Sequence, residues 1–229
     1  MYFNKKSKRW ERKWFPYPDV FYNRRVSKLM KNTKVERIRN TFDRLGIPKI
    51  NSQHYFDKWD VYLKLKQYKE LRPHLPETVF YRNRNDLSRM VRESRRLFLK
   101  SLTQNNGLGI FIVTKRRKGF QYSYYKRKKL SRGYVSTFNS LLKKIRQFFK
   151  NKPFIIQKSI NLIRVNNKVA DLRCDVQRNG QDEIECVAHS VRIGVKNSPI
   201  TNTRTKPTIY PFDRFLIHKM GYTRKQVKR

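Results

Sequence analysis

Apolar residues recur at helical spacing through the first hundred residues. Val35, Ile38, Phe42 and Leu45 fall on one face of a helix that Gly46 and Pro48 would end. Phe21, Val26, Leu29 and Met30 predict an earlier helix over 20–31, and Phe56, Trp59 and Leu63 one over 55–71 that Pro73 stops. Asp86 is placed to cap a fourth, whose Leu87, Met90, Val91, Ser94, Leu97 and Phe98 face inward while Arg89, Arg92, Arg95 and Arg96 face out. The β-branched run Gly109 to Thr114 predicts a strand.

The pattern is densest between 136 and 187. Phe138, Leu141, Leu142, Ile145 and Phe148 or Phe149 make an apolar stripe with Ser136 or Thr137 as cap, and Lys143, Lys144, Arg146 and Lys150 occupy the other side. After Asn151, Lys152 and Pro153 a short second helix is expected, with Ile155, Ile156 and Ile160 inward and Lys158 outward. Leu162 to Val165, including Arg164, reads as a strand, Asn166 and Asn167 as a tight turn, and Lys168 with Val169 as the return. Val176 and residues 184–187, separated by Asn179-Gly180, predict another extended pair.

These elements predict an α+β fold: a mostly helical N-terminal part, then a small module of two helices and a small antiparallel sheet, with basic extensions at both ends. The expected divisions are an aromatic basic arm at 1–19, a helical region at 20–114, a basic aromatic linker at 115–135, the compact module at 136–187 and a basic tail at 188–229 that holds no core of its own.

Charge changes the picture. Of 229 residues, 56 are Lys or Arg and 16 are Asp or Glu, a net charge of +40. A free chain so charged repels itself, and a polyanion over its surface is the simplest compensation. No apolar run is long enough for a membrane span, and the first residues lack the apolar core of a secretory leader. Residues 115–132 interleave Lys115, Arg116, Arg117, Lys118, Lys126, Arg127, Lys128, Lys129 and Arg132 with Phe120, Tyr122, Tyr124 and Tyr125, phosphate contacts beside stacking surfaces for RNA bases.

Catalysis finds little footing in this reading. The four histidines are scattered, no glycine-rich phosphate loop stands out, and acids are sparse. Cys174, Cys186 and His189 lack the paired spacing of a zinc site and read as buried or half-buried thiols in strands. The expectation is a protein that is not an enzyme, with no metal and no cofactor.

Val165, Asn166, Asn167 and Lys168, followed by Val176, Gly180, Asp182 and Ile184, resemble the turn and ending of the RNA-binding module of small-subunit ribosomal protein S4. The resemblance spans 136–187, with Asn167 where that family has glycine, extra residues between Gly180 and Asp182, and Lys152 and Lys158 in place of its arginines. It implies a structural constituent of the ribosome that binds small-subunit rRNA, touches neighbouring ribosomal proteins, supports assembly and is not a homo-oligomer. The rRNA contacts would be the cations of 115–132 together with Lys143, Lys144, Arg146, Lys150, Lys152, Lys158, Arg164, Asn166, Asn167 and Lys168. Richness in Asn, Lys and Ile reads as an AT-rich gene and points to a divergent mitochondrial member, with another organelle or the cytoplasm as the alternative. The alternative functions are another ribosomal protein of either subunit, or an RNA-processing enzyme carrying an RNA-targeting module.

Overall fold

The computed structural model describes residues 1–22, 33–50, 56–102, 104, 107, 109–126, 129–201 and 206–227. Its contacts divide the chain into two units, Met1–Phe56 and Asp57–Arg229.

In the first unit, β1 (Tyr2–Asn4) and β2 (Arg9–Glu11) form an antiparallel hairpin in which Phe3 faces Trp10. Glu11 fastens it by accepting hydrogen bonds from Tyr2 Oη at 3.1 Å and Asn4 Nδ2 at 3.0 Å. The expected arm is therefore a pinned hairpin at its start. β3 (Phe21–Tyr22) pairs in parallel with β4 (Lys49–Ile50), and α1 (Thr33–Arg44) lies between them in sequence. Gly46, at φ +65, turns the chain after α1, and the Phe42 ring meets those of Tyr17 and Phe21. The helix expected over 20–31 begins in β3, and its remainder lies outside the described residues.

The second unit opens with α2 (Lys58–Gln67), whose N-cap Asp57 accepts from Trp59 N at 2.8 Å, and a 3-10 turn over Lys69–His74. Its main body is a six-stranded antiparallel sheet. The strands are β5 (Thr78–Phe80), β6 (Arg96–Ser101), β7 (Ile110–Arg116), β8 (Gly119–Lys126), β9 (Lys129–Val135) and β10 (Phe154–Lys158), in the order β5-β10-β6-β7-β8-β9. Helices α3 (Arg84–Glu93) and α4 (Phe138–Phe149) cover one face. Leu87, Met90, Leu141 and Ile145 from the helices pack there against Leu97, Leu99, Phe111, Val113 and Ile156 from the strands.

A second sheet follows, built from β11 (Arg164–Val165), β12 (Lys168–Arg178), β13 (Ile184–Ile193) and β14 (Thr208–Pro211) in that order. Asn166 and Asn167, at φ +49 and +62, make the primed turn that joins β11 to β12. Helix α5 (Phe212–Met220) sets Phe215 against Ala170, Val191 and Ile193 as a small second core, and α6 (Arg224–Val227) follows. Among the described residues no helix is long and apolar enough to cross a membrane.

The architecture is thus mixed α/β with sheets dominant, and it overturns the expected helical N-terminal part and small RNA-binding module. Three periodicities account for the difference. Leu97 and Phe98, placed together on a helical stripe by the sequence reading, point to opposite faces of β6, where Leu97 and Leu99 enter the core. Phe154-Ile155-Ile156, expected in a helix after Pro153, is a strand buried between β5 and β6, as a short apolar run rich in β-branched residues can be. In 115–135 the charges conceal an alternation in which Phe120, Tyr122 and Tyr124 pack toward the core cluster. The region expected to be a coreless tail supplies the second half of β13, β14 and α5. Cys174 and Cys186 are exposed on β12 and β13, not buried.

Truncating Leu141 to Ala, at a side chain with 0% exposure, is expected to remove about 2–5 kcal/mol of stability. Ile38→Ala on α1, at a side chain 54% exposed, is expected to cost under about 0.5 kcal/mol. Urea denaturation of both variants checks the pair.

Candidate functional site

A cleft of about 1010 Å³ opens between the sheet face turned away from α3 and α4 and the second sheet. Strand alternation builds its floor. As Leu97 and Leu99 point into the core, Arg96, Phe98 and Lys100 point the other way, and Thr114 and Arg116 of β7 continue the same surface. Across the cleft stand Asp171 of β12, Arg192 of β13 and the segment Asn197–Thr201. Two hydrogen bonds tie the sheets together at one edge: Tyr125 Oη to Ser198 Oγ at 2.9 Å, and Arg132 Nη2 to the Asn197 carbonyl at 2.8 Å.

Lys100 is half-buried on this floor. Its Nζ donates to Gln157 Oε1, and Gln157 Nε2 donates in turn to Thr78 Oγ1 at 2.8 Å. Burial, and secondarily the neighbouring ammonium of Lys58, hold the Lys100 pKa below the usual lysine value. Lys58 reaches from α2 to the end of β6, where its Nζ donates to the carbonyls of Ser101 at 3.0 Å, Leu102 at 3.0 Å and Gln104 at 2.6 Å. Burial lowers its pKa as well.

The return into β7 needs a glycine. At Gly109 (φ +68) a Cβ would meet Gln104 Oε1 at 2.2 Å and Ser101 Cβ at 2.8 Å, and its carbonyl accepts from Ser101 N at 2.8 Å. On the cleft lining contributed by the second sheet, Arg192 is locked in a two-pronged pair with Asp171, Nε to Oδ1 at 2.8 Å and Nη2 to Oδ2 at 2.6 Å, and Thr201 Oγ1 donates to the same carboxylate at 2.7 Å. The Asp171 side chain raises the pKa of Arg192.

Of the cations singled out from sequence, the cleft gathers Arg116, Arg132, Lys158 and Arg164. Lys158 is also tied by ion pairs to Glu77 and, at 3.1 Å, Glu93, which raise its pKa through hydrogen bonds led by Glu77. Lys115, Arg117 and Lys118 stand exposed around the β7–β8 turn, and Lys126 and Lys129 at the β8–β9 end. Arg127 and Lys128 lie outside the described residues. Lys143, Lys144 and Arg146 are on the exposed side of α4, and Lys150 and Lys152 lie between α4 and β10. Asn166, Asn167 and Lys168 form the β11–β12 hairpin. The sequence reading missed Arg96, Lys100, Gln157, Asp171, Arg192 and Thr201. The signal was present as alternation from Arg96 to Lys100, with Gly107 and Gly109 in the connection that leads to the next strand.

A model of the family described as YheC/D like ATP-grasp matches residues 46–229. The chain is 26% identical over 207 residues to the endospore coat-associated protein YheD of Bacillus subtilis (strain 168), covering 87% of this chain and 45% of that protein. It is 23% identical over 161 residues to the endospore coat-associated protein YheC of the same organism, covering 69% and 43%. The chain thus spans less than half the length of these curated relatives. D-alanyl-alanine synthetase A from Vibrio cholerae O1 biovar eltor str. N16961 overlays at a TM-score of 0.43 and 10% identity, covering 79% of this chain and 54% of that one.

These matches overturn the ribosomal reading. The turn at Val165-Asn166-Asn167-Lys168 exists, but the segment before it is the strand β10 and not the second helix of an S4-like module. With that resemblance go the structural role in the ribosome, rRNA and ribosomal proteins as partners, and the mitochondrial small subunit as location, since the matched relatives are Bacillus proteins. The expectation of a protein that is not an enzyme is likewise displaced, because the matching family points to ATP-dependent chemistry.

A half-buried ammonium with no carboxylate beside it costs the unliganded fold stability. Lys100→Met is therefore expected to raise the thermal midpoint by about 2–4 °C, the shift that roughly 1 kcal/mol gives in a chain of this size. Because the folded-state pKa of Lys100 is lowered, the unfolded chain binds more protons between that value and the usual lysine pKa, so stability rises with pH through that window. The slope should be shallower in Lys100→Met. Thermal melts across alkaline pH measure both.

Proposed function

The chain belongs to the YheC/D-like ATP-grasp family, and on that premise we propose that it holds ATP in the cleft between its two sheets, as the nucleotide-binding part of an ATP-dependent ligase. The observation that carries this reading is Lys100, a desolvated ammonium on the floor of the cleft that Arg192 also lines, with no carboxylate partner among the described residues.

A triphosphate supplies what that corner lacks. Lys100 offers a point charge, and Arg192, aimed by Asp171 and Thr201, offers a rigid guanidinium edge. Inside the cleft the attraction is less screened than in water. Gly107, in the β6–β7 connection, lines the cleft and adds no side chain there, so backbone can come close to phosphate. Phe98 presents an aromatic face beside Lys100, a surface for the base. The net charge of +40 steers polyanions toward the molecule.

ATP arrives with Mg²⁺ bridging its phosphates. Among the described residues no group of three His, Cys, Asp or Glu side chains gathers that could cage a metal ion, and Asp171, the carboxylate lining the cleft, is already engaged by Arg192 and Thr201. The contribution read from this chain is therefore positioning and charge, the larger share of what phosphoryl chemistry asks of a protein. By the same reading the setting is bacterial and associated with the spore coat, as the names of YheD and YheC say of those proteins.

Calorimetric titration with ATP is the test. Binding is expected, and Lys100→Ala should weaken it by about tenfold or more, the worth of one charge-assisted contact. Bound triphosphate raises the Lys100 pKa, so this contribution is complete below the free-protein value and disappears as pH rises through the nucleotide-bound value. Absence of ATP binding in the intact chain overturns the reading.

A further inference from the structure

The cleft floor has two charged ends. Arg96 and Lys100 are four residues apart on β6, about 13 Å along the strand, and the Phe98 ring lies between them, 5.5 Å from the Arg96 guanidinium and 5.9 Å from Lys100 Nζ. The Lys100 end has Gly109 beside it. The Arg96 end has other neighbours, Arg116 from β7 and Arg164 from β11, which also line the cleft.

Nothing acidic answers that second group. Among the described residues no ion pair joins Arg96, Arg116 or Arg164 to a carboxylate. Arg116 donates through Nε to Gln121 Oε1 at 3.2 Å, and Arg164 through Nη1 to the Asn167 carbonyl at 3.4 Å. The Nε of Arg96 is buried and makes no hydrogen bond. Burial first, then Arg164 and Arg116, push the Arg96 pKa down. A lysine could shed its proton in such a place, but a guanidinium stays charged, so only an anion relieves the repulsion.

We infer that the Arg96 end of the cleft is a second oxyanion site, separate from the triphosphate corner, formed by Arg96, Arg116 and Arg164. The inference rests on the ATP reading only for the occupant of the Lys100 end. Two sources share the chemistry, the side-chain carboxylates of an acidic peptide and the phosphate oxygens of free inorganic pyrophosphate. The peptide is favoured, because Arg116 leads outward into exposed Arg117 and Lys118 at the β7–β8 turn and so continues the cationic track beyond the cleft. The planar forks of three arginines suit successive carboxylates.

The test uses the intact chain, with and without a saturating non-hydrolysable ATP analogue, titrated with a hexaglutamate peptide and separately with inorganic pyrophosphate. The peptide is expected to bind alongside the analogue. Arg96→Gln and Arg164→Gln should each weaken it by about tenfold, with analogue affinity changed by less than about twofold. Arg164 lies in an exposed hairpin, so that variant decides the matter if Arg96→Gln fails to fold. Lys143→Gln combined with Lys144→Gln removes charge from α4, away from the cleft, and should leave peptide binding unchanged.

Pyrophosphate binding beside the analogue with the same dependence on Arg96, and without peptide binding, assigns the site to pyrophosphate. Three results overturn the site: neither anion binds, the analogue displaces both, or the α4 variant weakens binding as much as Arg96→Gln. If the analogue itself fails to bind, the ATP reading falls. The peptide titration of the nucleotide-free chain still reports on Arg96.

Discussion

The constraint on which the rest depends is that charge is held where water is scarce. Strand β6 cannot bury Leu97 and Leu99 without turning Arg96, Phe98 and Lys100 to its other face, and the second sheet stands over that face. Packing and function are two sides of one strand. The apolar side anchors α3 and α4, and that anchorage fixes cations in a cleft where their mutual repulsion and lost hydration call for an anionic ligand.

The polar contacts around the cleft share this logic. Gln157, backed by Thr78, gives Lys100 a neutral acceptor that holds it without cancelling its charge. Asp171 instead neutralises Arg192 in part while fixing its orientation, and Thr201 fixes the carboxylate. Lys58 donates to three backbone carbonyls, of Ser101, Leu102 and Gln104, at the end of β6 and keeps that corner of the floor in place. Lys158, which also borders the cleft, is tied to Glu77 and Glu93 and serves as a structural link between β10, the start of β5 and α3.

How much of this was legible in the sequence can be judged residue by residue. The α4 stripe is strong because Phe138, Leu141, Leu142, Ile145 and Phe149 recur at helical spacing along its whole length, and the helix runs Phe138–Phe149. The Asn166-Asn167 turn is legible because Asn tolerates positive φ. The sheet was obscured for two reasons. Its central strands β6 and β10 are short, so Leu97 with Phe98, and Ile155 with Ile156, suit a helical stripe and a strand equally well. Its outer strands β8 and β9 are written in tyrosine and lysine, so their alternation read as a basic aromatic linker. The cleft itself was out of reach: Lys100, Asp171 and Arg192 are far apart in sequence, and only the stacking of the two sheets brings them together. The net charge points to an anion and carries no information about which one.

Hydrogen–deuterium exchange of the intact chain with and without a non-hydrolysable ATP analogue tests the central claim most directly. A nucleotide gripped between the sheets should slow exchange together in β6 around Lys100, in β10 around Gln157 and in β13 around Arg192, leaving the solvent-facing side of α4 unaffected. Slowing confined to α4 or to the β7–β8 turn, or none anywhere, would contradict it.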